Sequence, residues 1–291
     1  MRPMSFAMRA LANPGPGYVA WTSIRPDFSG ADAPAAIQAG TAVVVSGSGR
    51  SKSFIDKLDT THSPAGLWLF DGNLNDSSGN LVHLLGGTPR GYTDAAKDRV
   101  RGVVFEATRL TRGYNPLLVL PGDLTIEVVG VFQSKVSAVQ SIICYGYTGE
   151  TQTNNRLYDF RIGTAGGLSL FWESGAGVNR STVSADNVVP VGVPTHLAVS
   201  RGTSGASSVS RFFVDGEFVG ESSATTADGG DSVNCTLSIG DQSENPGTTL
   251  CQPGTIFYCV KLIASCLTDD QIKAEYNRVL GGQCLGWDRR A

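Results

Sequence analysis

Residues 66–80, GLWLFDGNLNDSSGN, gather Asp71, Asn73, Asn75 and Asp76 on one short stretch, with Ser77 and Ser78 directly after them. Oxygen-bearing side chains at this spacing have two chemical uses. Asp, Asn and Ser bond the backbone a residue or two away and so turn a chain. The same oxygens coordinate calcium, a hard cation that takes about six to eight such ligands. The stretch lacks the spacing of an EF-hand loop and guarantees only about two or three ligands of its own. Turn chemistry is therefore the first reading, and calcium held by Asp71, Asn73, Asn75 and Asp76 is the alternative.

Other reactive patterns are weaker. A serine nucleophile would sit in a Gly-x-Ser-x-Gly elbow after a strand, and no such string occurs. AVVVSGSGRSKS, residues 42–53, has a strand-like run before glycines and Lys52-Ser53, but Ser46 and Ser51 stand where a phosphate loop needs glycine. It reads as a linker. Six cysteines (Cys144, Cys235, Cys251, Cys259, Cys266, Cys284) form no CxxC pair, and His62, His83 and His196 lie far apart, which gives little support to structural zinc. Reduced, partly buried thiols are expected over disulfides. Asn75, Asn179 and Asn234 match the glycosylation acceptor pattern, read here as chance matches.

The elements that must position these residues are strands. From about residue 64 apolar runs recur between Gly, Pro, Asn, Asp and Ser: GLWLF, RGVVFEA, LLVL, LTIEVVGVF, SIICYG, LYDFRIG, GLSLFWE, THLAVSR, SRFFVDGEFVGE, CTLSIG and TIFYCVKLIA. Asp215-Gly216 between two apolar runs predicts a hairpin, because a type I′ turn needs positive φ at both central positions. Trp68 and Phe70 alternate with Leu67 and Leu69, so the first run reads as a strand buried on both faces. One helix is well signed, LTDDQIKAEYNRVLGG. Thr268 and Gln271 form a capping box, Leu267 staples to Ile272, and Ile272, Tyr276 and Leu280 make one apolar stripe.

Four ordered blocks then resemble a known family. GLWLFDGNLNDSSGN, LTIEVVGVF, PTHLAVSRGTSGASSVSRFFVDGEFVG, and LSIGDQ leading to GTIFYCVKLIASCLTDDQIKAEYN are similar to the laminin-G-like and concanavalin-A-like lectin and glucanase domains, in particular their jelly-roll branch. The resemblance covers residues 64–281 and implies an all-β fold. Its form is a two-sheet antiparallel sandwich with one short C-terminal helix and one concave side. It also implies where to look for ligands. Some relatives bind calcium, and lectin relatives stack an aromatic ring on a sugar, for which Tyr145, Tyr147, Tyr158 and Trp172 qualify by type. Trp172 shares its face with Leu168 and Leu170, so core packing competes with that role. Glucanase relatives carry Glu-x-Asp-x-x-Glu on one strand; no such string occurs, and Glu217 and Glu221 read as solvated surface carboxylates. No catalytic residues are expected.

Residues 1–60 are Pro, Gly, Ala and Ser-rich with few large apolar side chains, too few to offset their own ordering entropy. They read as an extended arm that lies on a partner subunit, with Tyr18, Trp21 and Phe28 as anchors or, alternatively, packed back onto their own sandwich. Residues 282–291 read as a tail. A net charge of -3 without a basic stripe argues against nucleic acid. No run approaches the length of a membrane span, and Arg9 and the Pro-Gly-Pro at residues 14–16 disrupt a secretory signal. Synthesis in a host cytoplasm is thus expected. The combination predicts a non-catalytic bacteriophage virion component, a capsid decoration, head-fibre or tail-associated protein, that self-associates, contacts other virion subunits and displays a lectin-like domain toward a host surface glycan. A secreted or cell-surface calcium-dependent carbohydrate-binding module is the alternative.

Removal of residues 1–60 is expected to leave a folded monomer that no longer joins assemblies of the full chain. Circular dichroism and size-exclusion chromatography check this; an unfolded remainder would put the arm inside the sandwich core.

Overall fold

The computed structural model describes residues 62–279 apart from 71, 88–90, 93–101, 134–137, 148–155, 175–177 and 226–234. All of these lie in the second of the two units into which the chain divides, Thr61–Ala291. Tyr18, Trp21 and Phe28 of the expected arm, and the expected tail, fall outside the described residues.

The strands are β1 (Gly66–Trp68), β2 (Gly91–Tyr92), β3 (Val103–Phe105), β4 (Leu110–Arg112), β5 (Leu124–Val131), β6 (Gln140–Tyr147), β7 (Arg156–Ile162), β8 (Leu168–Ser174), β9 (Val178–Val183), β10 (Pro194–Ser204), β11 (Ser207–Val214), β12 (Glu217–Thr225), β13 (Cys235–Ile239) and β14 (Thr255–Ile263), followed by helix α1 (Asp269–Val279). They form the expected antiparallel two-sheet sandwich. One sheet has eight strands in the order β12-β11-β10-β5-β14-β3-β2, with β1 also on β14; the other has six in the order β4-β13-β6-β7-β8-β9.

Local chemistry explains the landmarks. Asp215 and Gly216 have φ of 52° and 75°, the paired positive values that the β11–β12 hairpin requires. At the start of α1, Thr268 N–H donates to Gln271 Oε1 at 2.9 Å and Gln271 N–H donates to Thr268 Oγ1 at 3.4 Å, completing the capping box. Leu267 and Ile272 pack together with Ala198, Phe213 and Ile263, which seats the helix on the outer face of the eight-stranded sheet. The run LLVL, expected as a strand, instead enters a 3-10 turn at Pro116–Leu118. Asn115 Oδ1 accepts the Leu117 amide at 2.9 Å and Pro116 supplies a preset φ, so a cap and a proline outweigh the β propensity of a short apolar run.

Between the sheets the core is aromatic. Phe257 meets Phe105 and Phe132 at 4.7 and 5.8 Å between ring centroids, and Tyr145 stacks on Tyr158 at 5.7 Å. Burying rings of this size contributes about 1.5–3 kcal/mol each. One inward position of β10 carries a charge. Arg201 follows Leu197 and Val199 along the inner face of β10 and is 0% exposed. Its guanidinium donates to the carbonyls of Leu120, Pro121 and Gly122 at 2.8–3.0 Å and to Leu157 O of β7 at 3.3 Å. Its central carbon lies 5.2 Å from the Trp172 ring of β8. Burial pulls its pKa down to about 10, partly offset by the charge of Asp123.

Arg201→Met keeps much of the volume and removes every donor, leaving buried carbonyls that each cost about 1–3 kcal/mol when unmatched. The expected loss is at least about 3 kcal/mol of unfolding free energy, read from urea melts as a lower midpoint with an unchanged slope.

Candidate functional site

In the six-stranded sheet, Tyr145, Tyr158, Phe160, Leu170, Trp172 and Leu237 point into the core. The intervening residues therefore occupy the outer face. One cross-strand row there reads Ser238, Cys144, Asp159, Phe171 and Ser181, from β13 to β9. The connection from β13 to β14 folds back over this row. Asp241 shapes it by accepting the amides of Gly247 at 2.6 Å and Thr249 at 3.2 Å. Ser243 pins it down, its Oγ donating to Thr236 O at 2.7 Å and its amide to Cys144 Sγ at 3.4 Å. This cover explains why the polar Asp159 is fully buried on an outer face.

Two arginines compensate that buried carboxylate. Arg161 Nε and Nη2 reach Asp159 Oδ2 at 2.7 and 2.6 Å, and Arg156 Nε lies 3.9 Å from the same oxygen. Burial works against the Arg161 cation, but Asp159 outweighs it by charge and hydrogen bond, so the guanidinium holds its proton more tightly than usual. Arg156 Nη2 pairs with Glu244 Oε2 from the overlying connection, and Arg161 Nη2 donates to Gln242 Oε1 at 3.2 Å. Both guanidiniums also sit against the half-buried Phe171 ring, 4.3 and 4.5 Å from its centroid. Such cation–π contacts are worth about 0.5–2 kcal/mol each, depending on desolvation. The result is a half-buried aromatic ring with two guanidiniums laid over it, all held on strands or on a pinned connection.

The residues expected to stack on a sugar lie elsewhere. Tyr145, Tyr158 and Trp172 are buried in the core, where Tyr158 O–H donates to Leu118 O at 3.0 Å and Trp172 Nε1 donates to Thr225 O at 3.0 Å. Their faces are covered, so the expectation of stacking by Tyr145 and Trp172 is corrected by side-chain direction. Tyr147 is half-buried against the same core. While Phe218 is exposed on the other sheet, the described residues place Phe171, one residue before Trp172, on the outer face of the six-stranded sheet. Period-two alternation down β8 is the signal that finds it, since a tryptophan turned inward places its neighbour outside.

Of the expected calcium ligands, Asp71 falls outside the described residues. Asn73 Oδ1 accepts the Asn75 amide at 2.8 Å, and the Asn75 side chain is exposed. Asp76 is buried and accepts four hydrogen bonds. They come from the amides of Leu67 at 2.9 Å, Ser78 at 3.0 Å and Val82 at 3.2 Å, and from Ser78 Oγ at 2.7 Å. This carboxylate fastens β1 to the loop that follows it. Among the described residues no group of three or more His, Cys, Asp or Glu side chains is arranged to hold a metal ion. Glu217 and Glu221 pair with Lys273 and Arg211 beside α1.

No family model matches the sequence, and no curated protein matches it. Solved structures share the fold. The botulinum neurotoxin type G receptor-binding domain has a TM-score of 0.53 at 9% identity, over 74% of this chain and 51% of that one. The binding domain of Paraclostridial mosquitocidal protein 1 has a TM-score of 0.53 at 11% identity, over 73% and 52%. The Ruminococcus gnavus IT-sialidase CBM40 bound to α2,3-sialyllactose gives 0.45 at 14% identity, over 67% and 98%. The chain thus spans about half the length of the two toxin domains and has the β-sandwich fold of these binding domains.

Burial, followed by the negative charge of Asp159, pushes the Cys144 thiol up to about 12. At pH 8 the native protein is therefore expected to leave Cys144 unlabelled by iodoacetamide while the half-buried Cys266 reacts, as peptide mass spectrometry would show.

Proposed function

We propose that this chain is a non-catalytic binding protein whose sandwich recognises a glycan on the outer face of the six-stranded sheet. The half-buried Phe171, Arg161 and Glu244 form the contact group, backed by the buried Arg156, Asp159 and Gln242. The observation that carries the proposal is the outward Phe171 ring with two guanidiniums at 4.3 and 4.5 Å, each also tied to a carboxylate. Sugars present an apolar ring face and a rim of hydroxyls, and the half-buried Phe171 ring with two guanidiniums over it offers both apolar area and hydrogen-bonding groups. The fold shared with two toxin binding domains supports a binding role.

The wider setting rests on the sequence. The Pro, Gly, Ala and Ser-rich composition of residues 1–60, read as an arm, supports placing the sandwich on a bacteriophage virion, anchored to other subunits and to copies of itself, and made in a host cytoplasm. Many copies would turn weak single-site binding into firm adhesion. An exported carbohydrate-binding module is the competing setting. Thiol counting on the denatured chain separates them, because six free thiols argue against an oxidising compartment.

Phe171→Ala and Arg161→Ala are each expected to weaken glycan binding by about tenfold or more while leaving the far-ultraviolet spectrum unchanged. Titration calorimetry with an oligosaccharide identified on a glycan array measures this. Full affinity in both variants would move the site elsewhere.

A further inference from the structure

We infer that the ligand of this face is a neutral, hydroxyl-rich sugar and not an acidic one; the inference rests on the glycan-binding reading above. The four charged groups at the site cancel, two guanidiniums of Arg156 and Arg161 against two carboxylates of Asp159 and Glu244. Each cation already has its anion within the chain. An acidic sugar would have to displace Asp159 or Glu244 from its partner, leaving a desolvated carboxylate behind.

The uncommitted atoms point the same way. Asp159 Oδ1, Glu244 Oε1 and Arg156 Nε are buried without a hydrogen-bond partner, two acceptors and one donor. A sugar carboxylate brings only acceptors and would face two oxygens already short of a donor. A hydroxyl is donor and acceptor at once, so adjacent hydroxyls can satisfy a carboxylate oxygen and the guanidinium N–H together. Gln242 adds no charge, and its side chain is already committed to Arg161, the Asn245 carbonyl and the Thr248 hydroxyl. Glu244 stands on the bend that crosses the face.

The experiment is calorimetric titration of the full chain with lactose, cellobiose and maltotriose against 3′-sialyllactose and trigalacturonate, at low and at physiological salt. The expected result is saturable binding of at least one neutral sugar, about tenfold or more tighter than either acidic one and nearly independent of salt. Asp159→Asn and Glu244→Gln should each weaken that binding by about tenfold, the effect of weakening a charge-assisted hydrogen bond. Glu244→Gln lies on the surface connection and serves if Asp159→Asn does not fold. Preference for an acidic sugar, strengthened by Glu244→Gln, overturns the neutral class while leaving the glycan site standing. Sugar binding that Phe171→Ala leaves intact, or no binding to any of the five, overturns the site itself and this inference with it.

Discussion

A cation buried between two sheets is the constraint around which the sandwich is arranged. Arg201 occupies an inward position of β10 that the strand pattern assigns to an apolar residue, and a bare charge there would be prohibitively desolvated. The chain answers with backbone. The connection into β5 turns its Leu120, Pro121 and Gly122 carbonyls toward the guanidinium, and Leu157 of β7 adds a fourth from the opposite sheet. Asp123, next in sequence, meanwhile accepts the amide and hydroxyl of Thr203, two residues beyond the arginine, both at 2.8 Å. The sheets are thereby registered to each other by directional bonds as well as by ring packing, which is non-directional.

The same solution, a polar group buried and then fully matched, recurs where the chain must be held in place. Asp76 ties β1 to its following loop through four donors. Asp241 and Ser243 hold the β13–β14 connection against the outer face. Lys261 and Glu275 meet at 3.0 Å beneath α1, out of contact with solvent. The candidate site differs in one respect. Around Asp159 the charges balance but three side-chain atoms stay without a hydrogen-bond partner, as do other buried polar groups such as His196 and Glu127 in the eight-stranded sheet.

Much of the fold was legible because its signals are local. Asp215-Gly216 demands a tight hairpin, Thr268 and Gln271 demand a helix start, and both behave as expected. Strands with alternating apolar residues, such as LTIEVVGVF and TIFYCVKLIA, were equally visible. What escaped notice had weak or contradictory local signals. β9, VNRSTV, is an edge strand with mostly exposed side chains and so shows no apolar stripe. LLVL looked extended, but the proline and asparagine before it decided otherwise. The site was least legible of all. Phe171, Asp159 and Glu244 come from two strands and a connection, and only the register that sets Asp159 opposite Phe171 brings them together. Trp172 drew attention as the larger ring, yet a shift of one residue along a strand reverses the face.

The strand order has a consequence for how the molecule is made. The middle of the eight-stranded sheet is the pair β5 and β14, Leu124–Val131 against Thr255–Ile263, and β1 and β3 also depend on β14 for their pairing. During synthesis β5, once extruded, can zip to the β10–β11–β12 meander, but its other edge stays open until β14 emerges more than a hundred residues later. Contacts so distant along the chain make for slow closure, and an unpaired apolar strand is an invitation to wrong partners while it waits. The nascent protein is therefore most vulnerable to aggregation in the interval before β14 leaves the ribosome, and α1, translated directly afterwards, seals the outer face only once that interval has ended.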